Sequence, residues 1–355
     1  MSEPVAEHIA ALLPPLLRSL DALGFIARHF HPPDFGAVMD AAGMPDQELR
    51  AARGPLDGWP DELAGVRERL EIAVDAALAA FDGLRSAPDQ PDGVRAVFRA
   101  LRYLPRAREA LYPLAGAIPA INRFFLDPAV RDDAELLARF AAPARDDTGV
   151  MHGGEPGGRG GYSLYVPEFY TPERAWPLVM ALHGGSGNGR NFLWTWLRDA
   201  RSHGAIAVAP TATGPTWALM GEDTDTPNLV RILDAVRSRW NIDASRMLLT
   251  GMSDGGTFCY VTGLQDASPF THLAPVSATF HPLMAEMASP DRLRGLPVYL
   301  VHGALDWMFP VQVARQTHMA LAAAGADIVY RELDDLSHCY PSEINAPVLA
   351  WLRGA

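Results

Sequence analysis

Three side chains that could together activate an oxygen nucleophile stand where strand-like runs of this chain end. Ser253 lies in Gly251-Met252-Ser253-Asp254-Gly255-Gly256, between the apolar run Met247-Leu248-Leu249-Thr250 and the helix-like Thr257-Phe258-Cys259-Tyr260-Val261. A strand, a Gly-X-Ser-X-Gly turn and a helix make a nucleophile elbow, whose glycines leave room for a turn that pushes the serine out toward a substrate. A serine hydroxyl is a poor nucleophile at neutral pH, so it needs a base, and the base needs an orienting group. Asp306 follows Val298-Tyr299-Leu300-Val301 in His302-Gly303-Ala304-Leu305-Asp306, and His338 follows Leu333-Asp334-Asp335 in Leu336-Ser337-His338. Asp334 and Asp335 compete with Asp306 as the acid, although their place just before His338 suits solvated loop carboxylates. His281, in Thr279-Phe280-His281, competes with His338 as the base.

Acyl chemistry also needs donors for the oxyanion of a tetrahedral intermediate. Leu182-His183-Gly184-Gly185-Ser186-Gly187 follows the apolar run Leu178–Ala181, and bare backbone there can turn its N–H groups toward a site. The expected hole combines the N–H of Gly185 with that of Asp254, with Ser186 as a third donor. His183 and His302 precede glycines at strand ends and read as structural. Trp217, Phe280, Trp307, Met308 and Tyr340 fall in loops at the same edge, as pocket walls or as packing beneath the loops. Trp194 and Trp196, at helical spacing, carry the same two readings.

The chain has no lysine at all, which excludes a Schiff-base lysine, a Walker-type phosphate loop and a serine–lysine dyad. No His-X-X-X-His pair exists, and Cys259 and Cys339 lack ligand spacing, so no metal is expected. Packing is the expected role of both cysteines. Two cysteines are too few for a disulfide framework, and no opening segment reads as a signal peptide, so a cytoplasmic setting is expected. No uninterrupted apolar run reaches the length of a membrane span, and stable membrane insertion is not expected. The net charge of −12 argues against nucleic acid as a partner.

These residues must be positioned by elements, and the chain of 355 residues changes texture part-way along. Residues 1–145 read as an all-helical N-terminal domain. Leu63, Val66, Leu70, Val74, Ala77, Leu78 and Phe81 fall on one stripe, and Val94, Val97, Phe98, Leu101 and Leu104 repeat it before Pro105. Breaks are expected at Pro32-Pro33, Gly54-Pro55 and Pro88-Asp89-Gln90-Pro91. Arg95, Arg99, Arg102 and Arg106 share a helix face, read as solvated and ion-paired. Residues 146–355 alternate strand-like runs with helices. The runs are Leu178–Leu182, Ala205–Ala209, Met247–Thr250, His272–Val276, Val298–Val301 and Ile328–Leu333, with helices such as Asn228–Trp240 and Val311–Ala324 between them. Gly153 to Gly161 is expected to connect a hairpin and not to cradle phosphate. Such alternation implies a mostly parallel sheet with helices on both faces, binding ligands beyond the carboxyl ends of its strands.

The order Ser253, Asp306, His338 is the Ser…Asp…His order of the α/β-hydrolase fold. Together, Leu-His-Gly-Gly, Gly-Met-Ser-Asp-Gly-Gly, His-Gly-X-X-Asp and the late Ser-His resemble an α/β-hydrolase serine esterase. The likeness is to the polyhydroxybutyrate-depolymerase-like and phospholipase/carboxylesterase-like group, and Tyr162-Ser163-Leu164-Tyr165-Val166-Pro167 adds to it. It covers roughly residues 147 to 355. The resemblance implies Ser253 as nucleophile, Asp306 as orienting acid and His338 as general base, with no cofactor and a small-molecule ester as substrate. The same triad would serve amide or peptide cleavage, or acyl transfer. A rival from another class is a hydrolase-fold binding protein without chemistry, although such proteins commonly lose a triad member and this chain keeps all three. The N-terminal helices fall outside that resemblance, which leaves their role open. A cap over the active site, a dimer interface and a buttress for the sheet are their candidate roles, the cap being the first expectation, and a homo-oligomer is left open.

Overall fold

A computed structural model describes residues 3–54, 59–155 and 157–354. Pro55 and Pro156 lie outside the described residues. The chain divides into two compact units after Asp132. The sequence reading put the boundary at 145/146. The earlier division reflects α8 (Ala134–Phe140), whose Phe140 meets the ring of Phe169 edge-on and lies under the guanidinium of Arg201, both in the second unit.

The first unit is helical: α1 (Glu3–His29), α2 (Phe35–Ala42), α3 (Pro45–Ala52), α4 (Ala64–Ser86), α5 (Gly93–Leu101), α6 (Tyr103–Leu111) and α7 (Pro119–Phe124). In α1 the fully buried Leu12, Leu16, Leu20 and Leu23 recur every three or four residues, a stripe that one helix face presents to a core. In α4 the expected stripe is buried at Leu70, Val74, Ala77, Leu78 and Phe81. The second stripe is broken at Arg102, and Pro105 falls in the first turn of α6, where its missing N–H costs little. Arg99 binds the Asp92 carboxylate through both terminal nitrogens, as expected of an ion-paired face. By length and mean hydropathy alone, α1 over Val5–His29 reaches the measure of a membrane span, although Arg18 and Asp21 interrupt its apolar run. The apolar pattern survives Arg18 and Asp21 because a helix segregates them from the leucine stripe, and half of the most apolar stretch is buried inside the protein.

The second unit is built on a sheet of β1 (Gly149–Gly153), β2 (Tyr162–Val166), β3 (Trp176–Leu182), β4 (Ile206–Pro210), β5 (Ile242–Met252), β6 (His272–Val276), β7 (Pro297–Gly303) and β8 (Asp327–Leu333). Their spatial order is β1-β2-β4-β3-β5-β6-β7-β8. β1 and β2 form the expected hairpin and β2 pairs antiparallel with β4; the remaining pairs are parallel. All seven residues of β3 and all five of β4 are buried, as strands covered on both faces require. Between the strands run α9 (Gly189–His203), α10 (Asp225–Arg237), α11 (Asp254–Gly263), α12 (Leu283–Met287), α13 (Pro290–Leu293) and α14 (Val311–Ala323), with α15 (Asn345–Leu352) at the end. This is the α/β-hydrolase arrangement.

The strand order fixes where a ligand would sit. From β3 the chain steps outward to β4, then returns past β3 to β5. The direction of winding therefore reverses between β3 and β5, and the crevice beyond their carboxyl ends is the topological switch point. The loop after β3 holds Gly185, and the turn after β5 holds Ser253.

Candidate active site

Ser253 sits between β5 and α11 with φ 56° and ψ −120°, a left-handed backbone that a side-chain-bearing residue adopts only under constraint. The constraint is close approach. A Cβ on Gly255 would lie 2.4 Å from the carbonyl oxygen of Leu182, and one on Gly251 would lie 2.6 Å from the backbone of Gly255. The two glycines let α11 start against the end of β3, and the Ser253 N–H is fixed on the Val276 carbonyl at 3.0 Å. Ser253 ends up 7% exposed.

Asp306 and His338 are brought together. His338 Nδ1 lies 2.9 Å from Asp306 Oδ2, and both side chains are buried. The other carboxylate oxygen, Oδ1, accepts the N–H groups of Met308 (2.9 Å) and Phe309 (2.8 Å). Burial pushes the Asp306 carboxyl up. The hydrogen bond and charge of His338 and the Phe309 N–H outweigh it, and the net result lies below the usual carboxylate value. A carboxylate can only accept, so His338 donates through Nδ1–H, and in the neutral ring that tautomer puts the lone pair on Nε2. His302, fully buried, donates Nε2–H to the Phe309 carbonyl at 2.8 Å and stands 3.5 Å from Asp306 Oδ2. Burial holds it in the neutral form. Its role is the structural one expected, closing the loop that carries Asp306.

The competing residues lie elsewhere. Asp334 and Asp335 precede His338 in the turn after β8, and it is Asp306 that meets His338 at Nδ1. His281 is exposed ahead of α12, its Nδ1 accepting the Leu283 N–H at 3.3 Å.

The candidate oxyanion loop approaches the elbow closely. A Cβ on Gly184 would lie 3.7 Å from Ser253 Cβ, and one on Gly185 would lie 2.9 Å from Asp254 Oδ2. Ser186 has φ 58°, the left-handed conformation again, as the loop turns toward α9. His183 anchors this loop. Its Nε2 accepts the Ala212 N–H at 3.1 Å, so its Nδ1 carries the proton and donates to the Gly184 carbonyl at 2.7 Å. Burial lowers its pKa to about 4, which keeps the ring neutral.

The five pocket candidates separate. Trp217 is 2% exposed, stacked on Phe258 with 5.4 Å between ring centroids, and gives its Nε1–H to the His183 carbonyl at 2.7 Å. Phe280 packs edge-on to Tyr260 inside the core. Both are packing beneath the loops. Tyr340 donates its hydroxyl to Asn345 Oδ1 at 2.8 Å and meets Phe192 edge-on. Trp307 (42% exposed) and Met308 (46%) stay open to solvent beside Asp306, with the Trp307 ring 6.4 Å from that of His338. Trp194 and Trp196 are buried. Cys259 and Cys339 are buried free thiols, and burial pushes the Cys259 thiol up, as suits packing.

No motif announced the contacts that hold the loop after β4. Asp225, Thr216 and the backbone of Ala212 are tied by single side-chain bonds, which leave no periodic trace in a sequence.

The phospholipase/carboxylesterase family model matches residues 221–352. A bifunctional acetylxylan esterase/xylanase of Neocallimastix patriciarum is 32% identical over 149 residues, 40% of this chain and 21% of that protein. A probable feruloyl esterase C of Aspergillus terreus is 34% identical over 123 residues, 33% of this chain and 45% of the other. The match thus spans less than half the length of these curated relatives. Similar solved structures include a truncated carbohydrate esterase from gut microbiota, at 12% identity and TM-score 0.49 over 60% of this chain and 99% of that one. Another is a ferulic acid esterase, at 18% identity and TM-score 0.47 over 54% and 90% of the two chains.

Proposed function

We propose that this protein is a serine hydrolase of carboxylic esters, with Ser253 as nucleophile, His338 as general base and Asp306 as orienting acid. The observation that carries the reading is the His338 Nδ1–Asp306 Oδ2 contact at the strand edge where Ser253 stands in its strained turn. With Nδ1–H committed to Asp306, His338 Nε2 is the basic nitrogen. It takes the Ser253 proton as Oγ attacks the ester carbonyl carbon, and Asp306 stabilises the imidazolium that forms. The carbonyl π-electrons move to oxygen, which the Gly185 and Asp254 amides receive, with Ser186 as a further donor. Collapse of the intermediate expels the alcohol, which leaves with the proton from Nε2. Water then attacks the acyl-enzyme by the same route, releasing the acid and restoring Ser253.

The relatives' names point to the first esters to try. Acetylxylan and feruloyl esters match those names, and the open Trp307 and Met308 offer an apolar wall beside the acid loop. The test is a panel of acetyl, butyryl and feruloyl esters set against the matching anilides. The account expects ester turnover well above that of each anilide. Anilide cleavage equal to or faster than ester cleavage would favour the peptidase or amidase reading, and turnover of neither would favour a binding protein.

A further inference from the structure

Resting on the proposed serine mechanism, we infer that the segment 211–218 after β4 is the frame of the oxyanion hole and that Asp225 is its positioning residue. Asp225 is fully buried at the start of α10. Its Oδ1 accepts the N–H of Thr213 at 2.7 Å and its Oδ2 accepts the N–H of Ala218 at 2.8 Å. One carboxylate thus ties both ends of a six-residue loop. From the far side, Thr211 receives the Gly189 N–H on its hydroxyl at 2.9 Å, and its backbone N–H donates to the Gly161 carbonyl at 2.8 Å.

Between those ties, the segment reaches both halves of the candidate hole. Thr216 Oγ1 donates to Asp254 Oδ2 at 2.5 Å, on the residue whose amide is one candidate donor. Trp217 Nε1–H donates to the His183 carbonyl, and the Ala212 N–H donates to His183 Nε2, at the root of the loop that carries Gly185. The Trp217 ring also lies 4.9 Å from the His183 ring. The same Asp254 oxygen fills the space that a Cβ on Gly185 would take, so the two halves meet across it. An oxyanion hole works only if its donors sit within a few tenths of an ångström of the place where charge develops. Three bonds from one short loop hold both donor segments, and Asp225 holds that loop.

Asp225 acts through Thr216, Trp217 and the backbone, and it touches no reacting atom. Asp225→Asn keeps the shape, but turns one acceptor into an amino group facing a backbone N–H. The predicted result for a short p-nitrophenyl ester is a kcat lowered roughly ten- to a hundredfold, short of the 10²–10³ for deleting a hole donor, with KM within about twofold. Binding of a boronic acid, whose adduct places an oxygen in the hole, should weaken by the same factor as kcat/KM. Asp223 serves as the control, because it receives the Thr226 N–H at the same helix start. Asp223→Asn should lower the melting temperature and leave kcat unchanged.

If Asp225→Asn does not fold, Thr216→Val carries the test: the fall in kcat should appear there and be reversed in Thr216→Ser. Wild-type kcat and boronate affinity in whichever variants fold, with Ser253→Ala inactive, would overturn this inference alone. Turnover persisting in Ser253→Ala would instead overturn the mechanism on which it rests.

Discussion

At the scale of single residues, chemistry converges on Asp306. Both of its oxygens are occupied, one by His338 and the other by two backbone amides. Asp306→Asn leaves the shape intact but can present an N–H to His338 Nδ1, favouring the wrong tautomer. The expected cost is about 10³–10⁴ in kcat with KM little changed, measured on a p-nitrophenyl ester. His183 yields a second prediction at this scale. Its folded pKa is about 4 against 6.5 for a free imidazole, so between those values the unfolded chain binds the extra proton. Stability from this residue is therefore complete above pH 6.5 and is lost as pH falls toward 4, on the order of 3 kcal/mol in all. The depressed Asp306 carboxyl acts in the same direction at lower pH, contributing stability above the carboxylate range and losing it as pH falls through its folded value. Urea midpoints at pH 7 and pH 5 should differ clearly in the wild type and less in His183→Gln. An equal decline in both would contradict the assignment.

At the scale of elements, the site is made by how closely a helix can begin beside a strand. A methyl group on Gly255 has nowhere to go, being 2.4 Å from the Leu182 carbonyl oxygen and 2.5 Å from that of His183. Gly255→Ala should lower the melting temperature by several degrees or prevent folding, because backbone and not a movable side chain is in the way. A variant as stable and active as wild type would show that the elbow is looser than described. This was legible beforehand: Gly-X-Ser-X-Gly names the packing problem as well as its solution. Strands were legible for a related reason. The apolar run His272–Val276 coincides with β6, whereas the runs that mark β3, β5 and β7 stop short of those strands at one or both ends. Their buried centres are continuous apolar runs, and their ends are set by hydrogen bonds that composition does not mark. Pro14 and Pro15 inside α1 show the converse, since burial of its leucine stripe overrides local punctuation there, whereas the break at Arg102 falls just ahead of Pro105, which has no N–H to offer the Leu101 carbonyl. The loop after β4 was the least legible part. Trp217 reads equally as a pocket wall or as packing in the sequence and is a strut in the structure, because a buried indole beside such an edge gives the same sequence signal either way.

At the scale of the whole molecule, the strand order brings the chemistry to one edge. Ser253, Asp306 and His338 are separated by dozens of residues, yet β5, β7 and β8 are parallel members of one sheet and deliver their following residues to the same side. The reversal of winding between β3 and β5 puts the topological switch point there, with the glycine loop after one strand and the elbow after the other. The absence of lysine removes an amine as an alternative to the proposed histidine base.

The most direct test of this account is fluorophosphonate labelling of the intact protein, with the modified peptide located by mass spectrometry and ester turnover followed in parallel. The account predicts one adduct, on Ser253, with turnover lost in step with labelling, and neither label nor turnover in a folded Ser253→Ala variant. Labelling at another serine, or undiminished turnover in Ser253→Ala, would contradict it.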